Sequence, residues 1–246
     1  MLSTFGQSPL LKSLFPPLTF ASISYRLLDY IYTAFHQANV DGTPVLHPMW
    51  FKYPKDRRTF NIEYQFFYGD SILVSPVTDE NATSVSIYLP KDIFYDFKTL
   101  APVQGTGTFV TLTNVDATQI PLHIKGGSVL PLRAKSAMTT TALRKNDFEI
   151  IVAPNASGEA SGQLHFDDGE SLVQTLSTHV EFKYKDQRLV VSGNFDYPLA
   201  VNVSRVRILG VQRDPNVDGF HYNSITRVLD IKISRPFICG FEVSFK

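Results

Sequence analysis

The sequence predicts a mainly β chain, one amphipathic helix followed by two antiparallel β-sandwich blocks. Three observations carry this. Three-and-four spacing of apolar residues is confined to one window, residues 22–38. Apolar and polar residues alternate through most of the chain beyond that window. Asp, Asn and Gly punctuate the alternating runs. The 246 residues, 43% hydrophobic and 13% aromatic, can fill substantial cores and exclude a disordered chain. At about 100–200 residues per domain, that length suits one large or two smaller units.

The first segment, residues 1–21, reads as an unstructured leader. Pro9, Lys12 and Pro16-Pro17 interrupt its apolar runs. No window approaches membrane length, and the segment lacks the basic start and clean apolar stretch of a signal peptide. The helix follows at 22–38, carried by Ile23, Leu27, Tyr30, Ile31, Ala34 and Phe35. Ser22 or Ser24 is the expected cap at its start, and Asn39 with Gly42 the expected stop.

Strands come next. Val85, Ile87 and Leu89 alternate with polar neighbours, as do Val180, Phe182 and Tyr184, then Leu229, Ile231 and Ile233, and last Phe241, Val243 and Phe245. Period two gives each strand one buried and one wet face. Residues 71–77 form a more continuously apolar run ending at a proline, as a buried strand does. Turns are expected at Asp167-Asp168-Gly169, Lys185-Asp186-Gln187-Arg188 and Asp218-Gly219. A composition shift near 133–143 separates the two β blocks.

Charge and cysteine mainly exclude. The 23 basic and 23 acidic residues balance, with no long like-charge run, which argues against nucleic acid or an anionic membrane as partner. A single cysteine, Cys239, excludes an internal disulfide framework and reads as a buried, inert thiol. The six histidines (His36, His47, His123, His165, His179 and His221) are scattered without metal-ligand spacing. No metal or cofactor is expected. Asp167-Asp168 could divide acid and base roles, but the adjacent glycine favours a turn. The aromatics from Trp50 to Tyr68 could stack on sugar rings, yet at this density they favour a core. Sequons at Asn81, Asn155 and Asn202 are candidate N-glycosylation sites and lean toward a secretory history. Chemistry alone shows no active site.

Ordered motifs add a resemblance. Residues 25–33, YRLLDYIYT, resemble the last barrel helix of glycoside hydrolase family 31. Residues 42–50, GTPVLHPMW, and 65–77, QFFYGDSILVSPV, are similar to the next family segments, and 95–97 and 120–132 follow in family order. Thr139-Thr140-Thr141 and 166–171 look most like the acid or secreted α-glucosidase branch. The similarity departs at Asp29, where the family usually has proline, and at His47, where arginine is common.

The resemblance implies the last helix of a (β/α)8 barrel at 22–38, a proximal sandwich at 39–134 and a distal sandwich at 135–246. It implies a parent that is a retaining α-glucosidase acting on α-glucosides or oligosaccharides, secreted, extracellular, or vacuolar/lysosomal. Family catalytic carboxylates lie in Trp-x-Asp-Met/Leu and Gly-Asp-Asn motifs on barrel strands. Neither motif occurs here, so no catalytic residue is assigned and the isolated chain is expected to be inactive. A non-catalytic carbohydrate-binding or scaffold module is the alternative. Without a barrel, the stripe Ile23, Leu27, Ile31 and Phe35 is expected to lie exposed and drive self-association.

Overall fold

The computed structural model describes residues 22–115 and 119–245, so the expected leader lies outside the described residues. Residues 22–26 are helical, and after a turn at Leu27 the main helix α1 spans Leu28–Asp41. Ser22 and Ser24 therefore sit within helix rather than capping it, and the Ser22 hydroxyl bonds the Ser136 hydroxyl at 2.9 Å. Gly42 ends α1 as expected: its φ of 79° is open to glycine at no steric cost, and its amide donates to the Ala38 carbonyl.

Eight strands follow: β1 (Leu46–Pro48), β2 (Phe66–Tyr68), β3 (Ile72–Val74), β4 (Ser84–Leu89), β5 (Ile93–Asp96), β6 (Pro102–Gln104), β7 (Thr108–Thr113) and β8 (Leu122–Lys125). Six form a sheet in the order β1-β2-β3-β8-β5-β6, and β4 pairs β7 in a ribbon. Nine more complete the fold: β9 (Ser128–Arg133), β10 (Phe148–Ala153), β11 (Ala160–Phe166), β12 (Thr178–Lys185), β13 (Arg188–Phe195), β14 (Asn202–Ile208), β15 (Phe220–Asn223), β16 (Val228–Pro236) and β17 (Phe241–Ser244). They make one sheet, β15-β16-β14-β10-β9-β11-β12-β13-β17.

Two departures from expectation concern this second sheet. Composition places β9 in the first block, ending at 134, but the strand hydrogen-bonds β10 along its whole length. The division between sheets therefore falls at the Gly126-Gly127 turn, because ladder pairing rather than composition decides membership. The strands are also not uniformly antiparallel: β10 runs parallel to β14, and β11 meets β9 in parallel at the single register pair Ser161 and Ser128. At that thin junction the sheet folds over itself. Phe237 packs at 5.3 Å from Phe148 of β10 and 6.4 Å from Phe182 of β12, so the two wings share one core.

Strand alternation then distributes side chains among three cores. Leu73 points into a core between the first sheet and the β4–β7 ribbon, with Phe67, Tyr88 and Phe94. Its neighbours Ile72 and Val74 face the opposite side. There they join Leu27, Tyr30 and Ile31 of the helix and Leu130, Leu132, Ile151 and Ala153 of the second sheet. Val129, Ile150 and Val152, on the other face of the same strands, enter the core between the wings. The central core thus belongs to helix and both sheets together. The expected bare stripe is corrected accordingly: Leu27, Tyr30 and Ile31 are buried, and of the main apolar positions only Phe35 is strongly exposed, at 59%. Burying each of the larger side chains contributes roughly 1.5–3 kcal/mol.

Candidate functional site

Polar groups buried at the helix junction show why it holds. Arg133 is fully buried; its Nε donates to Asp29 Oδ2 at 2.6 Å and its Nη2 to Oδ1 at 3.0 Å. Nη1 donates to the carbonyls of Asn146 at 2.7 Å and Arg144 at 3.2 Å, and the guanidinium lies 4.0 Å over the Phe148 ring. Arg26 Nη2 reaches buried Glu149 at 2.8 Å. Asp29, a departure from the family pattern, is thereby the carboxylate that fixes the helix to β9. The Tyr30 hydroxyl donates to the Tyr68 carbonyl at 2.8 Å and accepts the Ser71 amide at 2.9 Å; burial raises its pKa above the ordinary phenol value.

One turn further along α1, three of the scattered histidines meet. His165 of β11 and His179 of β12 are cross-strand partners. α1 lies over them because the His165 amide donates to the Thr33 hydroxyl at 2.9 Å. His36 stacks on His165, centroids 3.5 Å apart with rings 3° from parallel. One nitrogen from each of the three rings lies within 4.8 Å of the others. Behind them, buried Asp167 is 3.2 Å from His165 Nε2 and accepts the Tyr32 hydroxyl at 2.9 Å. Burial and this carboxylate push Tyr32 up to about 12. Burial lowers both His36 and His165, the neighbouring imidazoles lower both further, and Asp167 opposes the shift.

The pair Asp167-Asp168 is divided by the fold. Asp167 faces inward, while Asp168 is half exposed and caps the amides of Glu170 at 2.9 Å and Ser171 at 3.0 Å; those bonds, with the Ser171 hydroxyl, hold it well below the carboxylate range. The two do not share a cleft, which removes the acid–base reading. The segment starts as an Asx turn, the Gly169 amide donating to Asp167 at 2.8 Å, but opens a long loop before β12 rather than a tight hairpin. Asp186-Gln187 is the tight turn, with φ of 51° and 62° matching a type I′ hairpin.

Other expectations divide similarly. Phe67 is core, whereas Trp50 (47%), Phe51, Phe60 and Tyr64 are exposed, which corrects the view of that cluster as one core. Cys239 is exposed, not buried: in the turn after β16 it is Phe237 that points inward. Asn81 is exposed with φ 58°, while Asn155 and Asn202 are half-buried. A groove of about 820 Å³ lies between α1, the first sheet and the β11–β12 pair. Four of its charges pair with one another, Lys52 with Asp70 and Lys183 with Glu181, the latter at 2.8 Å.

A helix and two β-sheets closed around a common core define a mainly β region in which the helix is part of the packing. Residues 42–130 match the family profile described as the glycosyl hydrolase family 31 C-terminal domain, and the chain belongs to that family as its carboxy-terminal part. Over 188 residues it is 55% identical to a probable alpha/beta-glucosidase of Neosartorya fischeri, covering 76% of this chain and 21% of that protein. It is 33% identical over 210 residues to glucoamylase 1 of Candida albicans, covering 85% of this chain and 22% of that protein. The fold superposes on a glucosidase II alpha subunit with a TM-score of 0.81 at 25% identity, covering 90% of this chain and 28% of the other. The chain thus spans about a fifth of the length of the curated relatives it matches.

Proposed function

We propose that this chain is the carboxy-terminal region of a retaining α-glucosidase, and that its role is to hold the last barrel helix against two β-sheets. The observation that carries this is the shared core: Leu27, Tyr30 and Ile31 are packed with residues of both sheets, and Asp29 is locked to Arg133. A helix so held presents its opposite side, Leu28, Tyr32 and Phe35, to whatever packs beyond it. In the parent, two barrel carboxylates perform double displacement at the anomeric carbon of an α-glucoside, one attacking and the other protonating the leaving oxygen. The 55% identity to a probable alpha/beta-glucosidase supports that substrate class.

The test compares this chain with the product of the complete open reading frame. Release of p-nitrophenol from p-nitrophenyl α-glucoside is expected from the complete product and absent from the 246-residue chain. Turnover by the homogeneous chain alone defeats the proposal. A carbohydrate-binding role is favoured by one feature, the exposed aromatics around Trp50. Because Trp50 is the chain's one tryptophan, a maltose-dependent change in its fluorescence reports that role directly, and no change excludes it for maltose.

Of the three sequons, Asn81 is the best acceptor by exposure. Asn155 spends its Oδ1 on the amides of Ser157 at 2.9 Å and Glu159 at 3.0 Å, and Asn202 sits at the start of β14. A secreted parent is expected to carry glycan at Asn81, read as a mass loss on enzymatic deglycosylation that N81Q abolishes.

A further inference from the structure

We infer that His36, His165 and His179 form a binding site for a divalent transition-metal ion of zinc type. Three buried histidines, His47, His123 and His165, leave Nδ1 without a partner among the described residues, and of these only His165 has two further imidazoles beside it. His165 is only 6% exposed. A carboxylate oxygen accepts, so the 3.2 Å approach of Asp167 Oδ2 to Nε2 assigns the ring proton there and the lone pair to Nδ1. A carboxylate behind a histidine that keeps its other nitrogen free is the outer-shell arrangement found at zinc sites. It fixes the tautomer and raises ligand basicity.

The other two ligands come from separate elements. His179 is held opposite His165 by strand register, and His36 is delivered by α1, itself anchored by the Thr33 and Tyr32 bonds to β11 and Asp167. Three neutral imidazoles suit zinc, copper or nickel rather than magnesium or calcium, and leave a fourth position for water. The parallel stack of His36 on His165 keeps their lone pairs in parallel planes. Loading therefore requires the His36 ring, which is only half-buried, to tilt out of the stack. A bound ion would clip the helix to the β11–β12 pair, in addition to the ion pair at Asp29.

The experiment uses the full chain without a histidine tag, stripped with chelator and titrated with Zn²⁺ in a calorimeter, with Co²⁺ absorption as a second readout. One ion per chain at micromolar affinity or tighter is expected, with a melting temperature that climbs with Zn²⁺ concentration. H36Q, at a half-buried position, is expected to remain folded by circular dichroism and to weaken binding at least tenfold; H179Q should do the same and remove the Co²⁺ ligand-field bands. Absence of binding by the unsubstituted chain, or binding of equal affinity in both folded variants, overturns the site.

Discussion

Asp29 and Arg133, 104 residues apart in sequence, meet as a buried bidentate ion pair, with Arg133 Nε 2.6 Å from Asp29 Oδ2. The two Nη1 hydrogens go to backbone carbonyls, and the plane lies on Phe148. Such a pair gives little net stability over a well-packed apolar substitute, but breaking one side leaves an uncompensated charge in the interior.

D29A should therefore destabilise the chain by about 3–5 kcal/mol in urea denaturation. The double variant D29L/R133M should recover most of that loss, because both charges leave together. A double variant as unstable as D29A would mean that specific hydrogen bonding, rather than an orphaned charge, sets the cost.

The core shared by α1 and both sheets predicts one cooperative unfolding transition in scanning calorimetry. Leu130 is fully buried there. L130A should cost about 2–5 kcal/mol and lower that transition without splitting it. Two well-separated transitions in the parent chain would show that the sheets unfold independently.

Gly162 sits where β11 crosses β9, and a Cβ added there would fall on the Val129 carbonyl oxygen. The obstacle is backbone, which cannot turn aside as a flexible side chain does. G162A should destabilise by about 1–3 kcal/mol, more than a typical surface change. Thermal melting within a degree of the parent would contradict this.

Burial lowers the pKa of His123, and likewise of His36, His47 and His165. The unfolded chain then binds more protons than the folded one once pH drops below about 6.5, so stability falls on acidification. Each such group contributes at most about 1.4 kcal/mol per pH unit. Denaturation midpoints should decrease from pH 7 to pH 5, with a shallower slope in H123Q. An unchanged slope in H123Q would remove His123 from the effect.

Much of the fold was legible. Period-two patterning located the strands around 85–89, 180–184 and 229–233, and three-and-four spacing located the helix with its Gly42 stop, since each depends only on a residue's near neighbours. The ordered motifs from 25 to 171 were legible for a related reason: they preserve local sequence. Composition does not report which ladder a strand joins, so it gave no sign that β9 pairs with β10, and the turn holding Cys239 gave no periodic signal.

The candidate metal site was illegible for a different reason. Counting back from the Asp186-Gln187 turn pairs His179 with Asn194, and nothing in sequence spacing brings His165 or His36 to it. The amide of His165 bonds Thr33, 132 residues away, only because the second sheet bends at β9 and β11 and α1 crosses that bend. The sequence by itself determined which side chains each element turns inward, because backbone geometry fixes that period. Tertiary structure alone decided which inward faces meet, and so where Asp29 finds Arg133 and three distant imidazoles converge, because sheet pairing and burial act across the whole chain at once.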